Sequence, residues 1–236
     1  MTIALMLLLE IFTLLDFVAV GSFVSCWIGY EIFLHFQTRK GRSLPSVMEQ
    51  WRATWMEEVV PRDNRILDIQ IIRSLTGNSS FLASTAILVI GGLMALLGAA
   101  DQAVEVLNNY EYFAVTNQDR FGLKVAFLIV IFMHAFFRLA WSMRLHNNAA
   151  IILGAIPQPD QDPEGDTSRR RAGIAAKLVQ LASVHYNGGM HSYYFGLAAS
   201  AWFIHPVALM ASSVWVVLIV HRREFRSRAL HAALGK

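Results

Sequence analysis

The sequence contains little cysteine and little charge. Of its 236 residues, one is cysteine and 16% are charged, whereas about 25% are charged in an ordinary soluble domain. The lone Cys26 cannot form an intramolecular disulfide, which excludes a secreted disulfide scaffold. The hydrophobic content of 55% excludes an intrinsically disordered chain. A soluble domain of this size could not bury so much apolar surface, so the sequence predicts an integral membrane protein.

Motifs for soluble chemistry are also missing. The sequence has no P-loop, no dinucleotide-binding glycine fingerprint, no nucleophile elbow and no zinc-finger spacing. Cys26 lies between apolar neighbours, where a packing role is expected rather than a reactive thiolate. We therefore expect no enzymatic activity, no catalytic residue, no bound metal and no nucleic-acid partner.

Long apolar segments are abundant. A transmembrane helix needs about 20 mostly apolar residues. The sequence therefore predicts an all-α polytopic transmembrane helix bundle, a single membrane domain over residues 1–236, with about five spans. The predicted spans are 14–36, 72–99, 124–145, 187–204 and 207–221. The predicted cytoplasmic segments are 37–71, 146–186 and 222–236.

Two parts of this topology stay open. The last two spans are short and meet at His205-Pro206, and a residue before proline readily leaves the helical region. The sequence of these two spans is therefore compatible with two full membrane crossings and also with a re-entrant hairpin. Residues 1–13 form an apolar lead-in without a basic n-region or a small-residue cleavage site. We expect this lead-in to be retained, either in the membrane or on its surface.

Basic residues indicate the orientation. All but three of the 20 Lys and Arg residues fall on one side if the N-terminus is outside, the exceptions being Arg120, Lys124 and Arg138. An excess of Lys and Arg marks the cytoplasmic side. The sequence thus predicts an inner-membrane protein with a periplasmic N-terminus and a cytoplasmic C-terminus. The same charges predict contact with anionic lipid headgroups.

One cytoplasmic segment has the pattern of an amphipathic helix. Val47, Trp51, Trp55 and Val59 recur every four residues and so share one face. We expect this helix to lie on the membrane or on the bundle.

Polar residues inside the spans are candidates for function, because each ionisable group there costs roughly 2.5 to 3.5 kcal/mol on insertion scales. One hypothesis is a positive cavity near the cytoplasmic side that binds an anion or a lipid headgroup. Its candidate lining is Arg73, Asn78, Arg138, Tyr193 and Tyr194. The alternative is structural: Arg73 would snorkel to the surface, and Arg138 would bond to backbone carbonyls between helices.

Haem b is a weaker alternative. His134 and His191 lie at similar depths in their predicted spans and could ligate a haem iron axially. Single histidines also match in depth by chance, so no cofactor is predicted as the main hypothesis.

Three groups of residues resemble a known family. They are Trp55-Met56 with 62–68 and 80–85; 135–138 with 141–144, Asn147 and 154–157; and 193–195 with Trp202-Phe203, Pro206 and 223–228. Together they resemble the bacterial and plant membrane family known as domain of unknown function 599, over about Trp27 to Leu230. The resemblance implies no assigned activity. It also implies that a haem defining the family could not depend on His134 and His191, whose places often hold other residues.

The charges in the first of these groups predict a cytoplasmic ion-pair network where helices emerge from the membrane. Its candidate members are Arg62, Asp63, Arg65, Asp68, Arg144 and Arg223. Two functional classes fit the sequence. One is a homo-oligomeric channel, transporter or lipid-binding module, and the other is an accessory subunit of a larger membrane complex.

Overall fold

The computed structural model describes residues 11–39, 41, 43–109 and 117–235. It is 86% helical, and the described residues contain no strand, which confirms the predicted all-α class. The lead-in predicted for residues 1–13 falls mostly on residues 1–10, which lie outside the described part. In chain order the helices are α1 (Leu14–Arg39), α2 (Leu44–Val59), α3 (Ile66–Gly98), α4 (Ala100–Asn108), α5 (Gln118–Gly154), α6 (Asp166–Ser200), a 3₁₀ turn (Ala201–Phe203), α7 (Pro206–Phe225) and α8 (Arg228–Ala233).

Within the described residues, four helical segments are long and apolar enough to cross a membrane. They are Leu14–Thr38, Ile66–Gly98, Gln118–Gly154 and Pro206–Ala233. These segments contain the predicted spans 14–36, 124–145 and 207–221, and all but the last residue of 72–99. The remaining span, 187–204, falls on the end of α6 and the 3₁₀ turn, and α6 is not among the four. It stays a prediction, as does the choice between a crossing and a re-entrant hairpin.

Local sequence explains where α2 and α7 begin. Ser43 precedes α2 in an extended conformation, and its backbone N–H donates to the Ser46 hydroxyl at 3.2 Å. Pro206 begins α7, where its missing N–H breaks no helical hydrogen bond. The sequence therefore explains why α2 begins just after Ser43 and why α7 begins at Pro206.

The chain divides into two compact units. Unit 1 comprises Met1–Phe36, Ala86–His134 and His191–Arg223, and unit 2 comprises Gln37–Thr85, Ala135–Met190 and Glu224–Lys236. The core of unit 1 is aromatic and includes the fully buried Phe23 and Phe195. The core of unit 2 packs Met56 of α2 against Ile72 of α3 and Leu153 of α5, with small residues of α6. Helix α2 is part of unit 2 and buries Val47, Met56 and Val59 there, while its Trp51 is 55% exposed.

Candidate functional site

A cavity of about 610 Å³ opens in unit 2 between the start of α3 and the end of α5. Apolar side chains form part of its wall, and the remainder is polar. The polar lining residues are Asp63, Asn64, Arg65, Gln70, Arg73 and Gln158. We call this site the Arg73 cavity. It joins one residue of the predicted positive cavity to two residues of the predicted ion-pair network.

Arg65 holds the wall of the Arg73 cavity together. Its guanidinium donates to the carbonyl oxygen of Ile156 at 2.6 Å and to that of Pro157 at 2.8 Å. It also reaches the carbonyl oxygens of Val59 and Val60, each at 3.4 Å. Val59 ends α2 and Val60 follows it, whereas Ile156 and Pro157 come just after the end of α5. The helix dipole favours a cation near both of these C-terminal ends. Arg65 therefore both fixes the two helix ends and brings positive charge to the cavity.

Asp68 anchors the start of α3 just outside the cavity. Its side chain is fully buried, and its Oδ1 accepts hydrogen bonds from Trp55 Nε1 at 2.8 Å and from Arg62 at 2.6 Å. Its Oδ2 is buried and has no hydrogen-bond partner among the described residues. The hydrogen bond from Trp55 links α3 to α2, and the ion pair with Arg62 links α3 to the segment that connects the two helices.

Arg73 differs from both of these residues. It lies two turns into α3, is exposed, and lines the cavity. Within the described residues it forms no hydrogen bond and no ion pair. Asn64, which precedes α3, accepts from the Ile66 N–H through its Oδ1 at 3.0 Å. The cavity thus presents one fully available guanidinium beside amide side chains.

The other predicted cavity residues lie elsewhere. Asn78 is on α3 and Arg138 is on α5, and neither is in the lining of the Arg73 cavity. Arg138 donates to the Val184 carbonyl oxygen at 3.2 Å, and a Cβ at Gly188 would overlap its guanidinium. This contact is the one that the structural alternative predicts for Arg138.

Tyr193 and Tyr194 both belong to unit 1. The Tyr193 ring meets the Phe132 ring edge-on, with the two centroids 5.4 Å apart. The structure therefore gives Tyr193 a packing contact.

Each remaining member of the predicted network has its own surroundings. Asp63 lines the Arg73 cavity. The Arg144 guanidinium lies over the Trp141 ring, 5.5 Å from its centroid. Arg223 is an exposed residue near the end of α7. Within the described residues the structure shows one ion pair of the predicted network, Arg62 with Asp68, and the rest of the network stays a prediction.

Both candidate haem ligands lie in unit 1 and have polar neighbours. His134 Nδ1 is 2.9 Å from the Ser192 hydroxyl, and His191 Nδ1 is 3.4 Å from Glu31 Oε1. Glu31 is a residue that the sequence analysis missed, although a carboxylate inside the span 14–36 is itself a signal. Haem ligation by the two histidines stays a prediction.

The long apolar helices indicate the class of protein, and a comparison of the sequence with known families identifies its family. Long apolar helices that can cross a membrane define an α-helical integral membrane protein. The sequence profile of the family described as "Protein of unknown function, DUF599" matches residues 18–229, so the chain belongs to this family. The resemblance seen in the sequence is thereby confirmed. No curated protein and no solved structure matches the chain.

Proposed function

We propose that this protein is a non-enzymatic lipid-binding module of the inner membrane, which holds an anionic, phosphate-bearing headgroup in the Arg73 cavity. The single observation that carries the proposal is the available Arg73 guanidinium in a cavity of about 610 Å³. A guanidinium offers planar, paired donors that match the oxygens of a phosphate.

Helix length supports the location of this site at headgroup level. α3 has 33 residues, so it is about 50 Å long, whereas the hydrocarbon core is about 30 Å thick. If Gly98 marks one edge of the core, about 20 residues of helix bring the other edge near Ser79. Arg73 is six residues, or about 9 Å, beyond that edge. This is the level at which lipid phosphates lie.

The chemistry of the lining favours a headgroup that carries hydroxyls as well as phosphate. Arg73 and Arg65 contribute two positive charges, and Asp63 contributes one negative charge. The amides of Asn64, Gln70 and Gln158 can both donate and accept hydrogen bonds. A glycerol-phosphate headgroup, as in phosphatidylglycerol, satisfies both features.

The topology supports the cytoplasmic leaflet as the source of the lipid. The predicted orientation assigns the start of α3 to the cytoplasmic side, where Lys and Arg are concentrated. Basic residues at that surface attract anionic lipids by about 1 kcal/mol each. We propose that the protein forms a homo-oligomer. If it is a channel or transporter, the Arg73 cavity is its cytoplasmic vestibule.

A second candidate function is that of an accessory subunit. It is favoured by α2, which lies outside the predicted spans and leaves Trp51 55% exposed. Exposed tryptophans are enriched where proteins dock. Purification in mild detergent distinguishes the two functions, because a stoichiometric foreign chain supports a subunit and a multiple of 26.5 kDa supports a homo-oligomer.

The lipid proposal is tested by thermal unfolding in a nonionic detergent with added phosphatidylglycerol or phosphatidylcholine. A ligand that binds only the folded state stabilises it by about 2.7 kcal/mol at 100 times its Kd. We expect phosphatidylglycerol to raise the Tm more than phosphatidylcholine does, and Arg73→Gln to reduce that difference. Arg170→Gln is the matched control, since Arg170 is exposed on α6 and lines no described cavity. An equal response of the two variants would contradict the proposal.

A further inference from the structure

A second polar cavity, of about 210 Å³, lies in unit 1 and is distinct from the Arg73 cavity. The start of α1, the first turns of α5 and the segment before α7 enclose it. Its polar lining residues are Thr13, Asp16, Arg120, Lys124 and His205. We call it the Lys124 cavity. In the sequence Lys124 begins the predicted span 124–145 and is one of the three basic residues outside the predicted cytoplasmic side.

The one carboxylate in this lining, that of Asp16, already accepts hydrogen bonds from other residues of the protein. Asp16 Oδ2 accepts from the Thr13 N–H at 3.1 Å and from the Thr13 hydroxyl at 2.7 Å. Asp16 Oδ1 accepts from Trp202 Nε1 at 2.8 Å. The carboxylate therefore fixes Trp202 and the start of α1, and it attracts Lys124 without forming a direct hydrogen bond to it within the described residues.

Within the part of the chain that the structure describes, the two cations in the lining have unused donors. The Lys124 side chain is only 5% exposed, and within the described residues its ammonium donates one hydrogen bond, to the Trp202 carbonyl oxygen at 2.9 Å. Arg120 precedes Lys124 by one helical turn and donates through Nε to the Ile11 carbonyl oxygen. Like charges at this spacing repel each other on a helix. Asp16 attracts Lys124 more strongly than Arg120 repels it, but two cations and one carboxylate still leave one net positive charge in the lining. An anion would neutralise that charge and accept the remaining N–H groups.

An apolar groove of about 620 Å³ adjoins this site in the same unit. Leu96, Ala103, Phe121 and Leu128 are among its lining residues. Phe203 lines the groove, and its ring centroid is 5.8 Å from the Lys124 Nζ atom that faces the cavity. Leu128, one turn after Lys124 on α5, continues the same face into the groove. Residues that line the groove thus lie directly beside Lys124, both on α5 and across from it.

We propose that unit 1 binds one anionic phospholipid, with its phosphate in the Lys124 cavity and an acyl chain in the apolar groove. Lys124 is the seventh residue of α5, about 9 Å from the helix start, and an apolar run follows it. A cation at such a boundary lies where lipid phosphates meet the hydrocarbon core. The predicted topology assigns this end of α5 to the periplasmic leaflet. The inference is independent of the Arg73 cavity, whose residues all belong to unit 2.

The test is isothermal titration calorimetry of the full-length protein in a nonionic detergent. The probes are a short-chain phosphatidylglycerol, the matching neutral diacylglycerol and inorganic phosphate. We expect the phosphatidylglycerol to bind more tightly than either of the other two. Lys124→Gln should weaken its binding about tenfold or more, because a buried charge-assisted hydrogen bond is lost. Lys177→Gln, the same change at an exposed lysine of α6, should leave the affinity unchanged.

Two further variants separate the parts of the site and guard against misfolding. Arg120→Gln removes the second cation without changing the buried lysine, and we expect it also to weaken lipid binding. Ala103→Phe fills the groove, and it should weaken binding of the lipid while leaving any binding of inorganic phosphate unchanged. Equal affinity in Lys124→Gln, Arg120→Gln and Lys177→Gln would overturn the proposal. It would also be overturned if inorganic phosphate bound as tightly as the lipid and Ala103→Phe had no effect.

Discussion

Replacing Asp68 by alanine should strongly destabilise unit 2. Asp68 is fully buried and accepts hydrogen bonds from Trp55 at 2.8 Å and Arg62 at 2.6 Å. Loss of the acceptor for the indole N–H costs about 1.5 to 3 kcal/mol, because the bond is to a charged group. The Arg62 side chain is 38% exposed, so water can replace part of its bond, and its share is discounted to about 1 kcal/mol. We expect a total loss of about 3 kcal/mol.

The assay is the free energy of unfolding by denaturant in a nonionic detergent, followed by circular dichroism. Asp68→Asn keeps an acceptor for Trp55 and should lose about 1 kcal/mol. The control is Asp101→Ala, since Asp101 is exposed on α4 and such changes usually stay within about 0.5 kcal/mol. If Asp68→Ala is as stable as this control, the reasoning about the buried carboxylate is refuted.

Two further predictions concern the contact between α5 and α6 and the start of α6. A Cβ at Gly189 would come within 2.6 Å of Leu139 Cγ, and Leu139 is fully buried, so Gly189→Ala should lower the free energy of unfolding by about 1 to 3 kcal/mol. Gly173→Ala on the same helix meets nothing within 4 Å and should be neutral or stabilising. Equal stabilities of the two variants would contradict this packing. Hydrogen bonds from the Ser168 hydroxyl and the Ser168 backbone N–H lower the pKa of Asp162 below its ordinary value of 3.8. The stabilisation of the first turn of α6 is therefore present above that value and is lost as the pH falls through the lower folded-state pKa. Hydrogen exchange at Ser168 should show this loss in the wild type, and Asp162→Asn should show no such pH dependence.

The sequence was sufficient for the helical class and for most of the spans. Apolar runs such as 124–145 depend only on composition and length, and α5 contains that whole run. The end of α6 is harder, because glycines, histidines and tyrosines dilute its apolar residues. Whether this segment crosses a membrane depends on neighbouring helices, and composition does not report those neighbours.

The candidate site was predictable only in part. Arg73 was identified because an arginine near a span is costly unless it reaches the surface. Its partners in the cavity were missed because Gln158 is distant in sequence, and because the bond from Arg65 to Ile156 spans 91 residues. The pairing of Asp16 with Trp202 spans 186 residues and left no local pattern either. Depth in the membrane can be derived from a sequence, whereas contacts between distant segments require the structure.

The claim that the Arg73 cavity holds an anionic lipid is tested most directly by native mass spectrometry of the protein purified with phosphatidylglycerol. We predict that the wild type and Arg170→Gln retain the same number of lipids and that Arg73→Gln retains one fewer per chain. Because the Lys124 cavity is in unit 1, the lipid proposed there should remain in all three proteins. Equal retention by Arg73→Gln and Arg170→Gln would contradict the account.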